Sequence, residues 1–410
     1  MKIAKTSKVS SSPLRYGTLR ETFEVSCFTR YNLPMLKRFF ILLSLLLTSC
    51  AAPPIPQQQL NFSAPNDRAS FARAIEPREF KFPDDHGAHF DYQTEWWYYT
   101  GNLTTDKGEH IGYQLTFFRR GLTPAAPNRE SAFAANQVYF AHFAITDVNG
   151  DKHSFAERFS RGAAGLAGAT GSPYSVWLED WKAESLNADG SNVRLKAKNG
   201  DVEIDLTLKS AKPIVAHGDH GLSPKSEERG NASYYLSYTR MITDGSVTLR
   251  GQTMKVNGES WFDHEWSTSA LGKNGIGWDW FSLQLSDGRE LMLFQIRRKD
   301  GGIETVSGGT LVEKDGSVKR LAASAMKIEV LEKWTSPQTK GEYPNKWRIT
   351  IPQSQIALDI EPYLKSQEMR VSFAYWEGAV KLSGTSNGAS VTGNGYIEMT
   401  GYVASMQGVF

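Results

Sequence analysis

Between Val193 and Leu208 apolar and polar residues alternate at period two. Val193, Leu195 and Ala197 stand against Arg194, Lys196 and Lys198, then Val202, Ile204, Leu206 and Leu208 against Glu203, Asp205 and Thr207, with Asn199-Gly200 between the runs. That pattern predicts two antiparallel strands with one apolar face, joined by a two-residue type I′ turn for which Asn-Gly supplies the positive φ angles. The same punctuation recurs at Asn149-Gly150, Asp189-Gly190, Asp244-Gly245, Asp287-Gly288 and Asp315-Gly316, which predicts an antiparallel meander. Helical spacing is confined to Asp67 through Glu79, where Phe71, Ala74 and Ile75 form one short apolar face. The predicted class is all-β.

The meander reads as doubled. Trp96-Trp97-Tyr98-Tyr99 leads through Asp106-Lys107-Gly108 to Phe117-Phe118-Arg119-Arg120, and Trp278-Asp279-Trp280-Phe281 leads through Asp287-Gly288 to Phe294-Gln295-Ile296-Arg297-Arg298. Two similarly built halves are expected, with the seam near residue 267, each closing into a barrel or curved sandwich that hides its strand edges. Six of the eleven Trp fall in the windows 96–97 and 261–280, as core or as the wall of an apolar pocket.

Ahead of this body stands a targeting segment. Lys37-Arg38 precede a nine-residue, mainly apolar stretch, Phe39 to Leu47, then Thr48-Ser49-Cys50, which reads as a secretory signal too short to span a bilayer comfortably. Leu47-Thr48-Ser49-Cys50 resembles the lipobox of bacterial lipoproteins. That implies an acylated Cys50, and Ala51 after it resembles the outer-membrane sorting rule; the expected location is the periplasmic face of a Gram-negative outer membrane. Met35 is the expected start, with residues 1–34 an extension, 35–49 the signal, 50–74 a tether, 75–266 one domain and 267–410 a second. With Cys27 outside the mature chain, no disulfide is expected.

Charge and motif content exclude several functions. Without the 8 Lys/Arg and 2 Asp/Glu of residues 1–49, the 46 basic and 44 acidic residues become 38 and 42, so no net basic surface favours nucleic acid. There is no Walker loop, dinucleotide fingerprint or HExxH. His86-Gly87-Ala88-His89 and His217-Gly218-Asp219-His220 have Gly between their imidazoles, so they read as loops; neither metal nor cofactor is expected. The densest polar and aromatic cluster is Gly258-Glu259-Ser260-Trp261-Phe262-Asp263-His264-Glu265-Trp266. As a strand it places Glu259, Trp261, Asp263 and Glu265 on one face and Phe262, His264 and Trp266 on the other. Turned inward, such carboxyls repel in a low dielectric, and at least one becomes a neutral acid near pH 7.

Glu95-Trp96-Trp97-Tyr98-Tyr99-Thr100-Gly101-Asn102-Leu103, Ala141-His142-Phe143, Trp261 to Trp266, Gly275 to Phe281 and Gly395 to Tyr402 resemble the lipocalin-like family of carotenoid 1,2-hydratases and AttH-type secreted hydrolases, from about residue 75 to the C-terminus. The resemblance implies two tandem lipocalin-like antiparallel β-barrels with a hydrophobic cavity near their junction. It places Asp263 at the proposed acid of the hydratases and Trp261 at the aromatic position of the same motif. Where the hydratases use a His and a Trp upstream, this chain has Tyr234 and Tyr235. Two roles are expected from it. In the first, a membrane-anchored lipoprotein binds an isoprenoid- or acyl-type ligand through Trp96, Trp97, Tyr98, Tyr235, Trp261, Trp278 and Trp280, and works with an ABC-type permease. In the alternative, Asp263, assisted by His264, Glu265 and Glu95, adds water to an apolar substrate or hydrolyses it.

Overall fold

A computed structural model describes residues 71–125, 130–269 and 271–409. Residues 1–70, with the stretch read as a signal and Cys50, lie outside them. Nearly all regular structure is strand, arranged in two antiparallel sheets within one compact unit.

The first sheet holds β1 (Thr94–Thr105), β2 (His110–Gly121), β3 (Gln137–Asp147), β4 (Lys152–Arg161), β5 (Ala167–Gly171), β6 (Tyr174–Leu178), β7 (Trp181–Ser185), β8 (Asn192–Asn199), β9 (Val202–Ser210), β10 (Val215–Ala216), β11 (Leu222–Pro224), β12 (Ala232–Leu249) and β13 (Gln252–Ser267). Its order is β4-β3-β2-β1-β13-β12-β9-β8-β7-β6-β5, so β13 returns to pair with β1 and the sheet curls into a nearly closed barrel. The second holds β14 (Gly275–Leu285), β15 (Glu290–Arg298), β16 (Gly308–Val312), β17 (Val318–Ala322), β18 (Lys327–Thr335), β19 (Glu342–Ile351), β20 (Ile356–Pro362), β21 (Glu368–Arg370), β22 (Ala374–Ser386) and β23 (Ala389–Met399). Its order, β17-β16-β15-β14-β23-β22-β20-β19-β18, repeats the plan as a half-barrel in which the last strand again joins the first.

Period-two alternation decides what fills each sheet. Trp97, Tyr99, Leu115, Phe143, Leu206 and Phe262 pack into the core of the first, and Phe281, Leu293, Trp347, Trp376 and Ile397 into that of the second. The intervening residues of the same strands point the other way. There Tyr98, Tyr235, Trp261, Trp280, Met292, Ala379 and Tyr396 form a third apolar cluster between the sheets. Close approach is secured at Gly112, where an added Cβ would stand 2.6 Å from the Cβ of Ala379. At one margin Lys212 Nζ donates to Glu290 Oε2, Gly288 O and Glu313 O, each at 2.7 Å, and Arg240 Nε donates to Glu290 Oε1 at 2.6 Å.

Four sequence expectations are corrected. Residues 71–79 form no helix: Pro77 lacks the N–H and crowds the preceding turn. The backbone N–H of Ala72 instead donates to Asp91 O at 2.8 Å, and Ala74 packs against the Trp266 cluster, while Ile75 stays 42% exposed. Phe71 and Ala74, at the end of the stretch read as a tether, are buried. The β8–β9 register pairs Asn199 with Val202, so the two central turn residues are Gly200 and Asp201. Gly200 alone has positive φ, +61°, the sign pattern of a II′ turn rather than I′. Asp244-Gly245 is no turn at all but lies inside the eighteen-residue β12. A Cβ at Gly245 would come within 2.2 Å of Asp205 O on β9, so glycine serves strand contact there.

Candidate functional site

β13 lies between β1 and β12, with Asp263 opposite Tyr98 on one side and Ser237 on the other, and Glu265 opposite Trp96 and Tyr235. Cross-strand partners share a face. Trp96, Tyr98, Tyr235, Asp263 and Glu265 therefore look together toward the second sheet. That sheet answers with Trp278 and Trp280 of β14, Phe294 and Ile296 of β15, Tyr375 of β22 and Glu398 of β23. The cleft between them has a free volume of about 80 Å³. A benzene-binding cavity is roughly 150 Å³, so this space takes the tip of a narrow apolar chain.

Asp263 is buried in its wall, 3% exposed. Its Oδ2 accepts from Tyr235 Oη at 2.7 Å, and its Oδ1 accepts from Trp261 Nε1 at 2.6 Å and from Ser237 Oγ. Trp280 Nε1 donates in turn to Tyr235 Oη at 2.8 Å, fixing the phenol from the opposite sheet. Burial drives the Asp263 pKa up and the three donors draw it back; burial prevails and leaves it at about 7, with the charge of Glu265 adding to the rise. A carboxyl so placed can give or take a proton at neutral pH.

Behind Asp263 runs a chain of groups that each both donate and accept. Ser237 Oγ is 2.7 Å from His217 Nε2, and His217 Nδ1 is 2.8 Å from Thr310 Oγ1. Burial lowers the His217 pKa to about 3, so the ring is neutral and the chain can reverse direction as Asp263 changes protonation. Glu265 is held by Lys225 Nζ at 2.6 Å and by Ser233 Oγ. Lys225 Nζ also lies 5.2 Å from the ring centres of Tyr235 and Phe294.

Glu95, Trp97 and His264 are not in the cleft. Each neighbours a cleft residue in sequence, and strand alternation sends it through the sheet to the other face. Trp97 stacks on His264 at 5.0 Å within the barrel. Glu95 Oε1 accepts from His264 Nε2 at 2.9 Å and His89 Nδ1 at 2.7 Å, while Oε2 accepts from Arg119 Nε at 2.8 Å. Burial alone would raise the Glu95 pKa, but Arg119, His89 and the imidazole hydrogen bonds hold it well below the ordinary range. His89, Glu95 and His264 bring one ligand atom each within 4.8 Å of one another. The Arg119 guanidinium already supplies the positive charge that Glu95 needs, so this is a structural ion network that ties the chain before β1 to the barrel.

Glu398, Glu377, Lys225 and Tyr375 are site residues that sequence reasoning missed. Trp278 Nε1 donates to Glu398 Oε1 at 2.7 Å, and Tyr98 Oη donates to Glu377 Oε1 at 2.6 Å. The signal for the two acids was an isolated Glu inside an apolar strand, Tyr396-Ile397-Glu398-Met399 and Tyr375-Trp376-Glu377.

The AttH-like family model matches residues 73–402. A crystal structure described as AttH from Nitrosomonas europaea is similar at 32% identity and TM-score 0.73, over 81% of this chain and 100% of that one. Kievitone hydratase from Nectria haematococca shares the fold at 15% identity and TM-score 0.61, over 82% of this chain and 97% of that one. A comparison with curated proteins gives no match. With a match across most of its length, and the two lipocalin-like sheets to go with it, the chain belongs to the AttH-like family.

Proposed function

We propose that the protein is an acid–base catalyst that adds water across, or removes it to form, a carbon–carbon double bond at the end of an apolar, isoprenoid-type substrate. The observation that carries this reading is Asp263: a buried carboxyl with a pKa of about 7, set in the wall of a narrow aromatic cleft. The neutral acid gives its proton to one alkene carbon, using the π electrons for the new C–H bond. The cation left on the neighbouring carbon faces the rings of Trp96, Trp278 and Trp280, which stabilise it through their negative faces. Water then forms the C–O bond. A fold shared with a protein named as a hydratase agrees with this chemistry. Anchoring through acylated Cys50 would set the cleft beside a membrane, where apolar substrates reside.

Capture of an apolar ligand for an ABC-type permease is the second reading. It uses the same cleft but gives the proton of Asp263 no work. The test is hydration of squalene and lycopene, presented in micelles in isotopically labelled water. Wild type is expected to yield labelled alcohol from at least one, and D263N to yield none while still binding. Equal yield from D263N would remove Asp263 from the chemistry.

A further inference from the structure

Hydration leaves one proton without a destination: the one that water loses as it joins the cation. Asp263 has just become a carboxylate on the alkene's side of the cleft, and Glu265 is committed to Lys225. The opposite wall holds a second carboxyl system.

Glu377 of β22 and Glu398 of β23 are direct cross-strand partners, so both side chains project from the same face of the second sheet. Glu398 lines the cleft, half-buried, while Glu377 behind it has no exposed surface. Their outer oxygens are taken, Glu398 Oε1 by Trp278 Nε1 and Glu377 Oε1 by Tyr98 Oη. Among the described residues, Glu377 Oε2 is buried without any donor of its own. Cross-strand pairing sets the two carboxyls side by side, and two carboxylates cannot bond without a proton between them.

Resting on the hydration reading above, we infer that Glu398, sharing one proton with Glu377, is the base that takes the proton from the attacking water, opposite the acid Asp263. In that step the water oxygen forms the C–O bond and its O–H bond breaks. The proton goes to the Glu377–Glu398 pair, which then carries two protons while Asp263 carries none. A water in the vacated cleft returns one proton to Asp263, and the cycle closes. Burial sets Glu398 at about 7, matching Asp263, and Asp263 and Glu265 across the cleft add to the rise; burial and the neighbouring Glu398 hold Glu377 well above the ordinary range. Glu377 is a positioning residue, which keeps a proton at the rear of the pair.

Two measurements test this separately from the hydration reading. Infrared titration between pH 5 and 9 needs no substrate (the pH limits are about two units either side of the shared pKa). Wild type should show a protonated-carboxyl band titrating near neutrality that is lost in E398Q, and a second, persisting to higher pH, that is lost in E377Q. If neither variant removes a protonated-carboxyl band, there is no shared proton and the inference fails, whatever the isoprenoid assay gives. In heavy water with squalene or lycopene, E398Q should lose roughly 10²-fold in alcohol formation yet still wash deuterium into the alkene, because Asp263 protonates reversibly. E377Q, whose amide donates to ionised Glu398, should move the acidic limb of the pH profile to lower pH. Undiminished alcohol from E398Q would overturn the assignment while leaving Asp263 as the acid. Undiminished alcohol from D263N would overturn the hydration reading instead.

Discussion

Tyr98 is the cross-strand partner of Asp263 in the first sheet, yet its hydroxyl donates to Glu377 of the second at 2.6 Å. One ring thus borders the acid on its own sheet and satisfies a buried carboxyl on the other. The Tyr98→Phe variant keeps the ring and deletes that donor. Because Glu377 has no exposure to water, the expected loss is about 1–3 kcal/mol, measured by urea unfolding. A variant as stable as wild type would show that Glu377 is satisfied without it.

Asp263 makes stability depend on pH in a sense opposite to most carboxyls. The unfolded chain ionises it near its usual pKa of about 3.9, whereas the folded protein keeps the proton until about 7. Between these values the unfolded state binds fewer protons, so the residue lowers stability as pH rises from about 4 to about 7, and the loss is constant above that. D263N cannot ionise. Its stability relative to wild type should therefore improve with pH across this window, by up to about 1.4 kcal/mol per unit. Melting curves at several pH values check it, and a flat difference would place the titration elsewhere.

Glu95 should behave in the contrary way. Its carboxylate is paired with Arg119 and bonded by two imidazoles on the barrel side of the sheet. E95Q strands the buried guanidinium, with an expected cost of about 3–5 kcal/mol. The wild-type contribution from Glu95 is present above its unfolded pKa and is lost as pH falls through its lowered folded value. Where E95Q remains folded, the pH profile of cleft chemistry should match wild type; a changed profile would mean that the sheet transmits its charge to Asp263.

Gly112→Val should wedge the sheets apart, since even a Cβ there meets Ala379 at 2.6 Å. The expected destabilisation is about 1–3 kcal/mol, and the fluorescence of the cleft Trp residues should shift red as water enters. Unaltered stability and emission would show that the inter-sheet packing yields freely at this point.

How much of this was readable from the residues alone divides along physical lines. Alternation in Trp261 to Trp266 separates the cleft face from the barrel face, because strand period depends on the backbone and not on neighbours. Grouping His264 with Asp263, and Glu95 with the cleft residue Trp96, treated nearness along the chain as nearness in space, and the same alternation contradicts it. Asp244-Gly245 reads as a turn by composition, but the neighbouring strand's demand for space decided its use. Glu377 and Glu398 escaped because their meaning comes from pairing with each other and from facing another sheet. Neither relation leaves a period in the sequence.

Both sheets are filled by their own side chains, and the cleft is built from the residues left over on their outer faces. Folding and recognition thus draw on different sets of positions along the same strands. Substitution at Trp96, Trp278 or Phe294 can therefore reshape the cleft without opening a hole in either core.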